Sequence, residues 1–141
     1  MSILALSQSA CLTGNRKLAA LAGDGQAYLL SRRCCDGGWN HGGSKFRSEN
    51  ATSYPEMTGL ALLALAGAPA PNLAPALRLA EAFLGHPESA EGRCWLQMGL
   101  LAHGRTIDMT AFPTCTYTTR DTSLRLLALA AANGKNRLLR V

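Results

Sequence analysis

Two clusters of polar and aromatic residues stand where helices are predicted to begin. Tyr54 and Glu56 form the first cluster, and Tyr117, Arg120 and Asp121 form the second. Unpaired amides at a helix start attract anions, so a carboxylate or pyrophosphate is a candidate ligand for the tyrosines and the arginine. Asp121 and Glu56 are the candidates for a catalytic acid. The alternative interpretation is that both clusters only cap their helices.

Other residue types in the chain are those that hold zinc in proteins. Cys94, His103, Asp108 and Cys115 follow one another, but their spacing does not match a zinc finger. Cysteine is often buried as a small apolar residue, so we predict no metal site. His41 lies in a glycine-rich loop that brings it beside a ligand in one interpretation and leaves it solvated in the other.

The composition indicates a helical domain with a core. Hydrophobic residues make up 48% and charged residues 16% of the 141 residues, which excludes a disordered tail. The apolar residues are mostly Ala and Leu, which favour helices over strands. A formal net charge of +5 is dispersed along the chain rather than clustered beside aromatic residues, so no nucleic-acid partner is predicted.

Cysteine usage and hydropathy predict a cytoplasmic protein. The five cysteines are an odd number without the spacing of a disulfide scaffold, so we expect reduced thiols. The apolar patch at residues 3–6 has no basic residue before it, and we expect no secretory signal. The longest apolar run, 57–70, is shorter than the roughly 18 residues that span a bilayer, so no transmembrane segment is predicted.

Glycine and proline divide the chain into helices joined by short links. We treat residues 1–141 as one domain, with 1–14 weakly ordered, and predict five helices: 16–33, 53–67, 72–85, 89–103 and 121–134. Short links favour antiparallel neighbours, which gives an all-α fold of helical hairpins. Two connections, 34–52 and 105–119, are longer than the other links, and connections of that length are often functional.

Local signals mark the faces and ends of these helices. Leu18, Leu21, Tyr28 and Leu29 predict an apolar stripe on the first helix. Ser53 and Glu56 fit a capping box for the second, with Pro55 in its first turn, and Asn72 is the predicted cap of the third. The stretch 58–66 is echoed at 122–130, which indicates an internal repeat.

The stretch from Gly25 to Trp39 carries a recognisable pattern. Gly25, Tyr28 and Leu29 are followed by Arg33 and then by Gly37-Gly38-Trp39, ahead of an Ala/Leu helix. This pattern resembles the glutamine-tryptophan motif of the terpenoid cyclase and protein prenyltransferase superfamily, with squalene-hopene cyclase-like spacing. Arg33 takes the place of the motif's glutamine. The resemblance implies an α/α toroid, and five helices form only part of such a ring.

The motif has a structural interpretation. Paired glycines let the backbone turn tightly, and Trp39 then stacks over the end of a helix while its ring nitrogen binds a carbonyl. We therefore interpret Gly37, Gly38 and Trp39, with Tyr28 and Arg33, as a clamp rather than a catalytic element.

The resemblance also supplies a test for catalysis. Cyclases of the second class protonate their substrate with an aspartate-rich motif, and its nearest match is 118–122. Arg120 occupies the place of the protonating carboxylate, and an arginine cannot serve as that acid. The ligand spacing of prenyltransferase zinc is absent as well.

Three functional hypotheses follow. The first is a partial or degenerate toroid module, non-catalytic alone, with an apolar groove that holds an isoprenoid chain. The others are an enzyme of the terpenoid cyclase or prenyltransferase type that acts on polyprenyl substrates, and a helical-repeat scaffold that binds protein. No cofactor is predicted, with Mg²⁺ and Zn²⁺ left open. A partial ring leaves apolar end faces, so we expect self-association or pairing with the remainder of a toroid.

Overall fold

A computed structural model of the chain is all-α, as predicted. It describes residues 2–42, 45–46, 49–67, 70–86, 89–109 and 118–135. The helices are α1 (Ser2–Thr13), α2 (Arg16–Ser31), α3 (Pro55–Ala64), α4 (Ala74–Gly85), α5 (Ala90–Ala102) and α6 (Thr119–Ala132), with a short 3-10 turn at Ala70–Asn72. Two-residue strands β1 (Lys45–Phe46) and β2 (Glu49–Asn50) pair antiparallel inside the connection from α2 to α3. Over the described residues, no helix combines the length and apolar character needed to cross a membrane.

Helix α1 adds to the five predicted helices and occupies the segment expected to be weakly ordered. It packs against α2, and Leu4 is buried in the core. The contact depends on Gly25, because a Cβ at that position would lie 2.9 Å from Cγ1 of Ile3. The missing side chain on α2 therefore makes room for α1, and burial of Leu4 contributes to the contact.

Helix α2 runs without a break through Gly23 and Gly25, but its buried face differs from the predicted one. Leu21 and Tyr28 are 54% and 66% exposed. The buried side instead carries Ala22, with Leu29 packed against the core. The prediction was wrong at two positions because small residues, rather than the largest apolar ones, face the neighbouring helices.

The starts of α3 and α4 also differ from their predicted caps. The N-cap of α3 is Tyr54, which makes no side-chain cap bond, while Ser53 binds a carboxylate elsewhere in the chain. Pro55 does lie in the first turn of α3, as predicted. The N-cap of α4 is Leu73 rather than Asn72, because Asn72 ends the preceding 3-10 turn.

The ends of α5 and α6 follow the predicted signals more closely. The Ser89 hydroxyl caps α5 by accepting a hydrogen bond from the Gly92 amide at 2.9 Å. Helix α6 begins two residues before the predicted start, with Thr118 as its N-cap. Gly104 and Gly134, with φ of 71° and 66°, take the left-handed conformation that commonly ends a helix.

Close backbone contact joins α3 to α5. A Cβ at Gly99 would lie 2.5 Å from the Gly59 carbonyl oxygen, and one at Gly92 would lie 3.4 Å from Cβ of Pro55. At the other end of the pair, Nε2 of His103 lies 2.8 Å from the Leu62 carbonyl oxygen. The start of α3 therefore contacts the start of α5, and the end of α3 contacts the end of α5. The two helices run in the same direction.

Helix α6 extends this parallel arrangement, whereas α2 opposes it. Arg120 at the start of α6 pairs with Glu91 at the start of α5, and the two helices share a buried cluster farther along. Gln26, near the middle of α2, donates to the carbonyl of Ala64 at the end of α3. The end of α2 lies instead beside the start of α3, so the two helices are antiparallel.

The close approach of α3 and α5 gives a stability prediction. A Cβ at Gly59 would overlap the backbone of Trp95 and Leu96, and neither neighbour can move without shifting α5. We expect Gly59→Ala to lower the free energy of unfolding by about 2 kcal/mol or more, measured by urea denaturation.

Gly23 provides the matched control, because it also lies inside a helix but has no atom within 4 Å of the added Cβ. Gly23→Ala should raise stability by about 0.5–1 kcal/mol, since alanine loses less chain entropy in a helix. Equal effects of the two substitutions would contradict the tight contact.

Candidate functional site

The glycine-tryptophan corner is a tight turn between α2 and α3. The Gly37 amide donates to the Cys34 carbonyl at 3.0 Å, and the Cys34 amide donates to the Gly38 carbonyl at 2.8 Å. Gly37 has φ of +100°, and a Cβ there would lie 3.1 Å from Cβ of Pro75. A Cβ at Gly38 would lie 2.6 Å from the Ser53 and Thr58 hydroxyl oxygens. Glycine is therefore required at both positions.

Trp39 connects the end of one helix to the start of the next. The side chain is 2% exposed, and its indole nitrogen donates to the Leu29 carbonyl of α2 at 2.7 Å. Its backbone amide donates to the Thr58 hydroxyl of α3 at 3.1 Å, and its carbonyl accepts from the Tyr54 amide at 2.8 Å. This is the geometry of a structural clamp.

Asp36 directly precedes Gly37-Gly38-Trp39 in the motif, and the sequence predicted no role for its carboxylate. One carboxylate oxygen accepts from the Gly38 amide at 3.1 Å, and the other accepts from the Ser53 amide at 3.0 Å and its hydroxyl at 2.9 Å. Burial alone would raise the pKa of Asp36, but the hydrogen bonds from Ser53 and Gly38 outweigh it and lower the pKa. The hydrogen bond from Gly38 to Asp36 spans two residues and is typical of a turn, so it can be predicted from the sequence. The bonds from Ser53 cannot, because Ser53 lies 17 residues farther along the chain.

Arg33 and Tyr28 have different roles from those the motif resemblance implies. Arg33 donates from its guanidinium to the Asn72 carbonyl ahead of α4, so it holds two segments together but does not touch the indole-binding carbonyl. Tyr28 faces outward, and the Arg32 guanidinium lies 5.9 Å from the centre of its ring. Tyr28 is therefore not part of the clamp.

The first polar cluster brings three of the predicted residues together. The His41 and Tyr54 ring centres are 5.5 Å apart, and Nε2 of His41 lies 3.8 Å from a carboxylate oxygen of Glu56. The cluster sits at the start of α3 and is open to solvent, since both His41 and Tyr54 are exposed. The connection between α2 and α3 therefore places His41 beside the start of α3.

The second cluster lies at the same end of the helices, with the start of α5 between it and the first. Asp121 forms a reciprocal capping box with Thr118, and these hydrogen bonds lower the pKa of the Asp121 carboxyl. Arg120 is paired with Glu91, whose carboxylate also accepts from the Trp95 indole at 3.3 Å. Tyr117 lies outside the described residues.

The residue types that hold zinc do not converge. Burial raises the pKa of the Cys94 thiol to about 11, which favours the protonated form that does not bind metal. His103 faces a backbone carbonyl, Asp108 lies in the segment after α5, and Cys115 is outside the described residues. Within the described ranges, no group of three or more His, Cys, Asp or Glu side chains is placed to hold a metal.

A groove of about 270 Å³ opens beside the corner, and the sequence did not predict its position. Trp39 lies at its base, and its walls are apolar side chains of three helices: Ile3, Leu29, Met57, Leu60, Ala61 and Ala64. Arg32, Asn40 and Gly42 supply a polar side, where Arg32 donates to the Gly42 carbonyl at 2.6 Å. Such a site can hold an apolar chain next to a polar group.

The geometry is the whole basis for a functional assignment. No protein-family model, curated protein or solved structure matches the chain. What the site offers chemically is an apolar groove, a solvent-exposed histidine-tyrosine-glutamate cluster and carboxylates engaged in capping.

The lowered pKa of Asp36 predicts a pH-dependent contribution to stability. A carboxyl whose pKa falls on folding stabilises the fold above its unfolded value, and the contribution is lost as pH drops through the folded value. Asp36→Asn replaces one of the two acceptor oxygens with an NH2 donor, so the amide side chain can no longer accept from both Gly38 and Ser53. We expect a loss of about 1–3 kcal/mol at pH 7, measured by denaturant unfolding. The difference from wild type should shrink as pH falls below 3.8, the ordinary pKa of aspartate.

Asp24→Asn is the matched control, because Asp24 is an exposed residue of α2. Its substitution should change stability by less than about 0.5 kcal/mol at either pH. A constant difference between Asp36→Asn and wild type at every pH would show that the carboxylate charge has no part in the corner.

Proposed function

We propose that the chain is a partial α/α-toroid module that binds an apolar chain, such as an isoprenoid, and performs no chemistry by itself. The observation that carries this proposal is the groove beside Trp39. Its volume of about 270 Å³ is near the lower end of small-ligand sites, and its walls are mainly hydrocarbon, with Tyr28 and Arg32 also among the lining residues. Arg32 and Asn40 at its polar side are suited to the head group of such a ligand.

The arrangement of helices supports the toroid interpretation. Helices α3, α5 and α6 run in one direction side by side, and α2 runs against them, which is the relation between the two layers of helices in a toroid. The sequence echo between 58–66 and 122–130 falls on α3 and α6, two members of the parallel set.

Exposed apolar side chains support an association partner. Leu12 and Leu21 are exposed on α1 and α2, and Leu126 is 63% exposed on α6, the helix at the other end of the parallel set. We propose that these faces contact a second copy or the remainder of a toroid. Size-exclusion chromatography with light scattering on the chain tests this, and a strict monomer at high concentration would contradict it.

The polar clusters argue against catalysis by this chain alone. The Asp121 carboxylate accepts hydrogen bonds from Thr118, which lower its pKa and keep it ionised near neutral pH, so it has no proton to donate to a substrate. Arg120 pairs with Glu91 and is not free to bind a pyrophosphate without breaking that pair. No step of this proposal requires Mg²⁺ or Zn²⁺.

Trp39 provides a direct reporter for the groove. The chain has two tryptophans, so Trp95→Phe leaves Trp39 as the sole indole. In this background we expect farnesol and farnesyl diphosphate to change the Trp39 fluorescence in a saturable way. Leu60→Gln, on the groove wall, should weaken binding about tenfold or more, because it removes the burial of one large apolar side chain.

Leu127→Gln is the matched control, since it makes the same change at an exposed position of α6 that does not line the groove and is not among the residues proposed to contact a partner. It should leave the affinity unchanged. Absence of any fluorescence response, or equal loss in both variants, would rule out the groove as the binding site. Release of diphosphate from farnesyl diphosphate that depends on Asp121 would favour the enzyme hypothesis instead.

A further inference from the structure

A second groove, separate from the one beside Trp39, lies on the opposite part of the helical array. It has a volume of about 400 Å³ and is formed by the second half of α4, one side of α5 and residues 105–108. Leu84, Leu100 and Ile107 supply apolar walls, and Arg93 and Arg105 supply charge. The two grooves share no lining residue.

The two arginines of this groove differ in their partners. Nε of Arg105 lies 3.3 Å from a carboxylate oxygen of Glu81, so its charge is compensated. Arg93 forms no ion pair within the described part of the chain, either with Glu81 or with Asp108, the other acidic residue of the lining. Its charge is therefore available to a ligand.

Arg93 also carries an unmet hydrogen-bond donor. Its Nε is shielded from solvent and has no hydrogen-bond partner among the described residues. One turn farther along the same side of α5, Gln97 is 0% exposed, and neither atom of its amide has a partner there. Buried polar groups are almost always paired. Of these two residues only Arg93 lines the groove, so its unpaired donor is the one that indicates a missing partner there.

We propose that this groove binds an amphipathic carboxylate, with the carboxylate on the Arg93 guanidinium and the hydrocarbon against Leu84, Leu100 and Ile107. A guanidinium presents a planar fork of donors that matches a carboxylate. Apolar walls on α4, α5 and the 105–108 segment accept the rest of the ligand. The proposal does not depend on the function assigned to the first groove.

Calorimetric titration of the full chain with octanoate tests the proposal, with octanol and acetate as the two partial ligands. We expect octanoate to bind more tightly than either, because only octanoate fills both the charged and the apolar parts of the groove. Arg93→Gln should weaken octanoate binding about tenfold or more and bring it to the level of octanol. Arg93→Lys should give an intermediate affinity, since it keeps the charge but loses the fork.

Three further variants make the outcome specific to this groove. Arg78→Gln removes an exposed charge from α4 and should have no effect. Thr106→Trp fills the groove from an exposed position and should weaken octanoate binding even if Arg93→Gln proves unstable. Leu60→Gln alters only the first groove and should leave octanoate binding intact, so the two proposals fail separately. Equal affinity of wild type and Arg93→Gln, or of octanoate and octanol, would overturn the proposal, as would binding of acetate as tight as that of octanoate.

Discussion

The hydrogen bond from the Trp39 indole to the Leu29 carbonyl joins the two halves of the described structure. The last four carbonyls of a helix lack the usual intrahelical amide partner, and a buried indole that donates to one of them must lie over that end. The Leu29 carbonyl also accepts from the Arg32 amide. Because the Trp39 backbone is bound at the same time by Thr58 and Tyr54, the end of α2 and the start of α3 are fixed relative to each other. The groove beside Trp39 lies at this junction and takes walls from both helices.

Local chemistry explains which parts of the fold could be predicted from the sequence. The turn at Gly37-Gly38 closes through bonds to Cys34, and the predicted helix start at Ser89 is marked by its bond to Gly92, so both signals are contained in short stretches. In the second cluster, Asp121 is part of a capping box, and capping was one of the two alternatives that the sequence allowed. Ala and Leu composition was sufficient for the fold class.

Features that depend on distant partners could not be predicted in this way. The sequence around Ser53 predicts a helix cap, but in the structure Ser53 donates to Asp36, which lies 17 residues earlier. The prediction of the buried face of α2 was wrong because glycine and alanine indicate a close helix contact only when the neighbouring helix is known. Gly25, which lies against Ile3 of α1, is an example. The walls of each groove come from at least three segments of the chain, so no single stretch of sequence predicts either groove.

The shared direction of α3, α5 and α6 has an electrostatic consequence. Parallel neighbours align their macrodipoles, so three partial positive charges meet at one end instead of cancelling as they do in an antiparallel pair. Each of these three helices carries one acidic residue in its first turn, Glu56, Glu91 and Asp121, whereas α1, α2 and α4 carry none. The three carboxylates offset the aligned dipoles, which makes the parallel packing tolerable and leaves that end of the molecule with little attraction for an anion.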